Sequence, residues 1–152
     1  MTDISEVKPT DPVMADLIAR HLELMYASSP SCSIHAMDAA ALEEAGAQFF
    51  AVIEDGQAIA MGALKRIDET HGELKSMHVR KDRRGHGLAD AMLAHLLEAA
   101  RRAGLKRISL ETGSQDAFGP ARAFYGRNGF NTCPPFEGYT LDPNSVFMTR
   151  EL

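Results

Sequence analysis

The sequence predicts a mixed α/β (α+β) domain in which a mostly antiparallel sheet carries helices on its faces. Three observations predict it. Start and stop signals bracket stretches of helical periodicity, short strand-like apolar runs lie between them, and an Asp-Gly pair joins two of those runs as a tight hairpin. At 152 residues and 45% hydrophobic composition, one domain over residues 1–152 with a core of ordinary size is expected.

Residues 3–7, "DISEV", read as a short strand. Asp11 then caps a helix running to about Tyr26, with Pro12 at its first position, where a missing N–H costs nothing. In "MDAAALEEAG" Asp38 caps a second helix and Gly46 stops it. The runs "QFFAVIE" and "QAIAMGALKRI" flank Asp55-Gly56, a pair that readily takes the positive φ angles of a two-residue turn. After "DETHG" comes a further strand, "ELKSMHV". A long helix begins near Gly87, with Leu88, Met92 and Leu96 four apart and Leu93 and Leu97 beside them, and Gly104 ends it. "KRISLE" is a strand, "GPARAFYGRNG" a short helix between Pro120 and Gly129, and "SVFMTREL" a final strand.

Charge and composition exclude several function classes. A net charge of −5 repels phosphate backbones and anionic membranes, so neither nucleic acid nor membrane is expected as a partner. No apolar run approaches a membrane span, and "MTDISEVKPT" lacks a basic, then apolar, leader pattern, so a cytoplasmic protein is expected. Cys32 and Cys133 lie far apart without metal-type spacing; reduced thiols are expected, with a disulfide between them as the alternative.

Against that acidic background, "RKDRRGHGLADAML" stands out. Arg80, Lys81, Arg83 and Arg84 with Asp82 give +3 within five residues, placed where a helix dipole is already positive. That arrangement costs on the order of tenths to 1 kcal/mol per misplaced charge unless an anion binds there. Gly85 and Gly87 let backbone N–H groups come close to such an anion, so a phosphate or pyrophosphate ligand is expected. A Walker loop does not fit, because His86-Gly87-Leu88 has neither the Lys nor the hydroxyl. A Rossmann-like dinucleotide module is a rival, with Glu111 in the ribose-binding place. Asp90 at the third glycine position and the charged run before Gly85 count against it.

Arg84-Gly85-His86-Gly87-Leu88-Ala89 spells R-x-x-G-x-A and resembles the acyl-CoA pyrophosphate loop of the GNAT superfamily of N-acetyltransferases. Ala121, Phe124, Tyr125, Gly129 and Phe130 resemble the family's second signature, A-x-x-[FL]-Y-x-x-x-G-F, in the family's order and spacing. The resemblance extends over the element order of the whole chain. It implies a GNAT-like three-layer α-β-α fold with a central, mostly antiparallel, splayed seven-stranded sheet, and acetyl-CoA (coenzyme A) as the cofactor. One departure is Phe118, where many members have an Asn on the pantetheine arm; that contact is then either absent or supplied by Ser114 or Gln115.

The resemblance also implies roles. Met77, His78 and Val79 would pair with the pantetheine arm as an added strand. The diphosphate would lie on Arg84, Gly85, His86, Gly87, Leu88 and Ala89, and Phe124 would sit against the cofactor. The acceptor would be a primary amine of a small molecule or peptide, attacking directly. At pH 7 an amine with a lysine-like pKa is neutral in only about one molecule in 2,500, a handicap of roughly 4.6 kcal/mol that makes a general base useful. Glu73 is the first candidate and Glu111 the second; Lys75 shares Glu73's face because side chains alternate along a strand. Tyr125 would protonate the leaving thiolate, and a backbone N–H around Val79 would meet the oxyanion. Residues 27–36 and 136–144 would line the acceptor pocket, where Glu137 and Asp142 suit a cation. His78 is expected to pack and His86 to be exposed; with His71 they form no metal spacing, so no metal is expected. A homodimer, common in similar proteins, is an open expectation, and a non-catalytic acyl-CoA sensor is the alternative function.

Overall fold

The computed structural model describes residues 2–30 and 38–152. Cys32, His35 and the expected pocket loop from residue 31 to 36 lie outside the described residues, and with Cys32 so does the disulfide alternative.

The chain runs β1 (Ser5–Glu6), α1 (Ala15–Ser28), α2 (Ala39–Glu44), β2 (Gln48–Glu54), β3 (Gln57–Arg66), β4 (His71–Val79), α3 (Leu88–Arg102), β5 (Arg107–Gly113), α4 (Gly119–Arg127), β6 (Asn131–Thr132) and β7 (Ser145–Glu151). The expected caps form. Asp11 Oδ1 accepts from the Val13 N–H at 3.0 Å, although the turn it caps, Pro12–Met14, is 3₁₀ before α1 begins. Asp38 Oδ1 accepts from the Ala41 N–H at 2.8 Å. Asp55 and Gly56 take φ of 51° and 76°, the left-handed pair that a tight hairpin needs. Helix α1 ends at Ser28 rather than near Tyr26, so the first two residues of the expected 27–36 loop are helical.

One seven-stranded sheet has the order β1-β2-β3-β4-β5-β7-β6, antiparallel throughout except for the parallel pair β4 and β5. The two apolar layers follow from strand alternation, interrupted in β3 by a register slip against β2 that puts Ala58 and Met61 on one face. Phe49, Ala51, Ala58, Met61 and Ala63 face one way and bury Leu17 and Ile18 of α1 and Leu42 of α2. Phe50, Val52, Leu64, Leu74, Ile108 and Leu110 face the other way, onto Met92, Leu93 and Leu96 of α3 and onto Tyr125 of α4. Helices thus cover both faces, in three layers.

Two irregularities position the site. β4 and β5 pair over only three residues, His71 with Arg107, Gly72 with Ile108 and Glu73 with Ser109. Beyond Glu73 the two strands part, and among the described residues the β5-facing edge of β4 is left without a strand partner. The second irregularity is a bulge. The register of β4 on β3 slips by one between Met61 and Ala63, opposite Ser76, whose φ is 57°. One extra residue reverses the alternation. Lys75, before the bulge, keeps Glu73's face, whereas beyond it Met77 and Val79 turn to the α3 side and His78 turns back toward α1.

Candidate active site

A cleft of 510 Å³ occupies the split between β4 and β5 and passes through the sheet. From the α3 side it is lined by Met77, Val79, Leu110, Phe124 and Tyr125; from the opposite side by Glu73, Lys75, His78, Glu111 and Tyr139. Side chains that alternation assigns to opposite faces of a sheet meet here only because the strands separate.

Glu73 is 3% exposed and is held rather than free. Its Oε2 accepts the Tyr139 hydroxyl at 2.6 Å and the Lys75 ammonium at 3.3 Å, and Lys75 Nζ also donates to Tyr139 Oη at 3.1 Å. Tyr139 arrives from the segment between β6 and β7, which folds over the sheet through ring contacts of Phe136 with Phe147 at 5.9 Å and of Tyr139 with Phe147 at 5.5 Å. Burial, and then the neighbouring Glu73, raise the Tyr139 phenol above its ordinary range.

Glu111 lies two residues beyond Ser109, the parallel partner of Glu73, on the same face and past the point where the strands separate. Burial pushes its carboxyl up to about 7; a Ser145 hydroxyl and Lys75 pull it down, while Glu73 and Asp142 add to the rise. Tyr125 enters from α4, buried between Phe124 and Phe130 with ring centroids at 5.3 and 5.5 Å. Burial is the one cause that raises its phenol, which therefore keeps its proton at neutral pH.

At the other end of the cleft, Arg80 N–H bonds the Ile59 carbonyl at 2.8 Å, so Val79, one residue before, directs its own N–H and C=O away from β3 toward the vacant edge. The glycine loop then leads into α3. Gly85 and Gly87 have φ of 81° and 80°, and a Cβ on either would meet nothing within 4 Å, so the loop borders open space and needs glycine for its backbone angles. Gly87 caps α3 without a side-chain hydrogen bond, which leaves the first N–H groups of a 15-residue helix for an external acceptor. The charge excess is smaller than the local count implies. Arg80 is paired with Asp82 at 2.6 Å, and Arg83 makes a bidentate pair with Glu54 of the β2–β3 hairpin at 2.6 and 2.9 Å. Counting Glu54 lowers +3 to +2, and Arg84, which lines the cleft and reaches the Val79 carbonyl at 3.4 Å, is the loop arginine with no carboxylate partner among the described residues.

His78 does pack, against His21 of α1, with Nδ1 atoms 3.0 Å apart. Burial first, then the charge of the other groups nearby, lowers both to about 4: His78 itself for His21, and Arg84 and Arg20 for His78. One imidazole therefore donates its Nδ1–H to the other, and both are neutral at pH 7.

The acetyltransferase (GNAT) family profile matches residues 14–130. The chain belongs to the GNAT acetyltransferase family. It is 42% identical to the uncharacterized N-acetyltransferase YsnE of Bacillus subtilis over 139 residues, 91% of this chain and 92% of that one. It is 40% identical to the uncharacterized N-acetyltransferase YedL of Escherichia coli, over 94% of this chain and 90% of that one. The crystal structure of a Klebsiella pneumoniae protein named as an acyl-CoA N-acyltransferase superposes with a TM-score of 0.80 at 30% identity, covering 100% of this chain and 98% of the other.

Of the residues expected in a GNAT site, Glu73, Glu111, Tyr125, Phe124, Met77, His78, Val79, Arg84, Gly85 and Ala89 line the cleft. His86, Gly87 and Leu88 do not: Gly87 is the cap of α3, and Leu88 is buried in the α3-side core. Ser114 is also outside the lining, and its hydroxyl donates to the Pro143 carbonyl at 2.6 Å. Neither acidic loop residue, Glu137 or Asp142, lines the cleft, although the charge of Asp142 acts on Glu111. Tyr139 comes from the expected 136–144 segment and lines the cleft, but its bond to Glu73, 66 positions away, carries no motif, and sequence reasoning missed His21. His21 had a usable signal, a histidine on the apolar face of an amphipathic helix, four residues after Leu17.

Proposed function

We propose that this acetyltransferase moves an acetyl group from acetyl-CoA to a primary amine of a small molecule or peptide, by direct attack in a ternary complex. The observation that carries the reading is the cleft through the split sheet, which brings Tyr125 from one face and Glu111 from the other to a single space. The thioester supplies the activated acyl group. The vacant edge of β4 at Met77, His78 and Val79 suits the pantetheine amides, and Phe124 flanks it. The loop of Arg84, Gly85, His86 and Gly87, with the first turn of α3 at Leu88 and Ala89, suits the diphosphate. The Ser114 hydroxyl is already engaged, so its part in holding the arm would need that bond to open.

Glu111 is the better base of the two carboxylates. A carboxyl raised to about 7 is half ionised at neutral pH and matched to taking a proton from an ammonium, whereas Glu73 Oε2 is occupied by two donors. Tyr125 holds a phenolic proton at the opposite wall, ready for donation to a leaving sulfur. The Val79 N–H, turned to the vacant edge, is positioned to meet an oxyanion.

Two measurements test the reading. Coenzyme A at 100 times its Kd should stabilise the protein by about 2.7 kcal/mol, which corresponds to a rise in Tm of roughly 5–10 °C for a domain of this size; NADH should leave Tm unchanged. A rise with NADH and none with coenzyme A would overturn it in favour of a dinucleotide module. Tyr125→Phe should lower kcat by about 10²-fold or more while leaving the coenzyme A shift intact, and unchanged release of free thiol would remove the acid role.

A further inference from the structure

Glu73, Lys75 and Tyr139 form a closed triangle at the acceptor side of the cleft, with edges of 2.6, 3.3 and 3.1 Å. Both hydrogen bonds to the carboxylate fall on Oε2. A carboxylate held this way accepts from an ammonium and a phenol at once, with almost no solvent around it. Lys75 is one-tenth exposed and meets Glu73 and Tyr139 together, so the three behave as one unit whose negative end is the Glu73 carboxylate. Its location matters more than its internal strength. Glu73 pairs with Ser109 across the last rung of the parallel ladder, and Glu111 follows two residues later on the same face, about 7 Å further along β5. The cleft lies between them without an intervening strand.

We infer that Glu73 is a positioning residue, the fixed anion of the site: Tyr139 and Lys75 hold its charge in place, and that charge governs how readily Glu111 across the split accepts a proton. The inference rests on the reading of Glu111 as the base. A like charge nearby disfavours a second ionised carboxylate, and an opposite charge favours it. Glu73 and Asp142 thus oppose ionisation of Glu111, while Lys75 and the Ser145 hydroxyl favour it, and the Tyr139 phenol stays neutral. Because Tyr139 belongs to the segment between β6 and β7, that segment couples the covering of the sheet face to the proton affinity of the base.

The test is a carbon-13 NMR titration of the side-chain carboxyls in glutamate-labelled protein, with the Glu111 signal assigned through Glu111→Gln, beside the pH profile of kcat/KM. In Glu73→Gln the Glu111 midpoint should fall by about one pH unit, and the acid limb of the profile should move with it. In Lys75→Met the midpoint should rise, the opposite direction, which a general loss of packing would not produce. A Glu111 midpoint unchanged in both variants overturns the inference. Failure of the parent reading is a separate result, full turnover by Glu111→Gln, because the titration is read without any turnover at all.

Discussion

Replacing Glu111 with Gln should lower kcat by about 10²–10⁴-fold and, at the same time, raise the melting temperature above pH 7. Both effects come from one cause. Burial holds the carboxyl up to about 7, so in the folded state its ionisation is penalised relative to the unfolded chain, where the ordinary value is 4.5. For a group raised on folding, the favourable contribution is complete below pH 4.5 and is lost as pH rises through about 7. At pH 8 the native protein bears the whole penalty, on the order of 2–3 kcal/mol. Glutamine keeps the shape and removes the charge. The variant should therefore melt roughly 4–10 °C higher than the parent at pH 8 and within error of it near pH 4.5. Thermal scans across that range, with thiol release measured at pH 7.5, check both halves. A variant less stable at pH 8 would show that Glu111 is structural, and one with unimpaired turnover would remove it as the base.

That penalty comes from burial at the cleft, and it could not be read from residue 111 alone. Legibility in this chain follows the range of the forces involved. Asp11, Asp38, Asp55-Gly56, Gly46, Gly104 and Gly129 act through bonds and dihedrals a few residues away, and each element they bracket is present. The glycine loop and "ARAFYGRNGF" were legible as local structure because left-handed backbone angles and a short helix with its stop impose residue types at fixed spacing. The bulge was not. Ser76 takes a positive φ that its sequence does not announce, and the parity reversal it causes sends His78 to α1 rather than to the α3 side. Lys75, one residue before the bulge, obeyed simple alternation and sat beside Glu73 as expected. Long-range pairings were equally hidden. Counting charge from Arg80 to Arg84 overlooked Glu54, which reaches Arg83 from the preceding hairpin, and nothing near Glu73 in sequence announces the phenol that Tyr139 brings to it.

Acidification below pH 6.5 should expose the buried histidine pair, and Glu111→Gln is the background in which to see it. Both imidazoles are lowered from 6.5 to about 4, so the unfolded chain takes up protons that the folded one refuses. For groups depressed on folding, stability is complete above pH 6.5 and is lost as pH falls through about 4. The more deeply buried His21 accounts for about 3 kcal/mol at most; His78, half-buried in the cleft wall and sharing the same hydrogen bond, adds less. Over this interval Glu111 works in the opposite sense, gaining a proton more easily in the folded state than in the unfolded one. In the native protein the two trends offset each other, and Tm should change little between pH 7 and pH 5. Once Glu111 is Gln the offset is gone, so Tm should fall with acid over the same interval, by roughly 5 °C or more. Replacing His21 and His78 with Leu in that background should flatten the curve, because no proton is then taken up on unfolding at these positions. A Glu111→Gln curve no steeper than the parent's would show that the imidazoles ionise within the fold, and would end the assignment of a neutral, hydrogen-bonded pair joining α1 to β4.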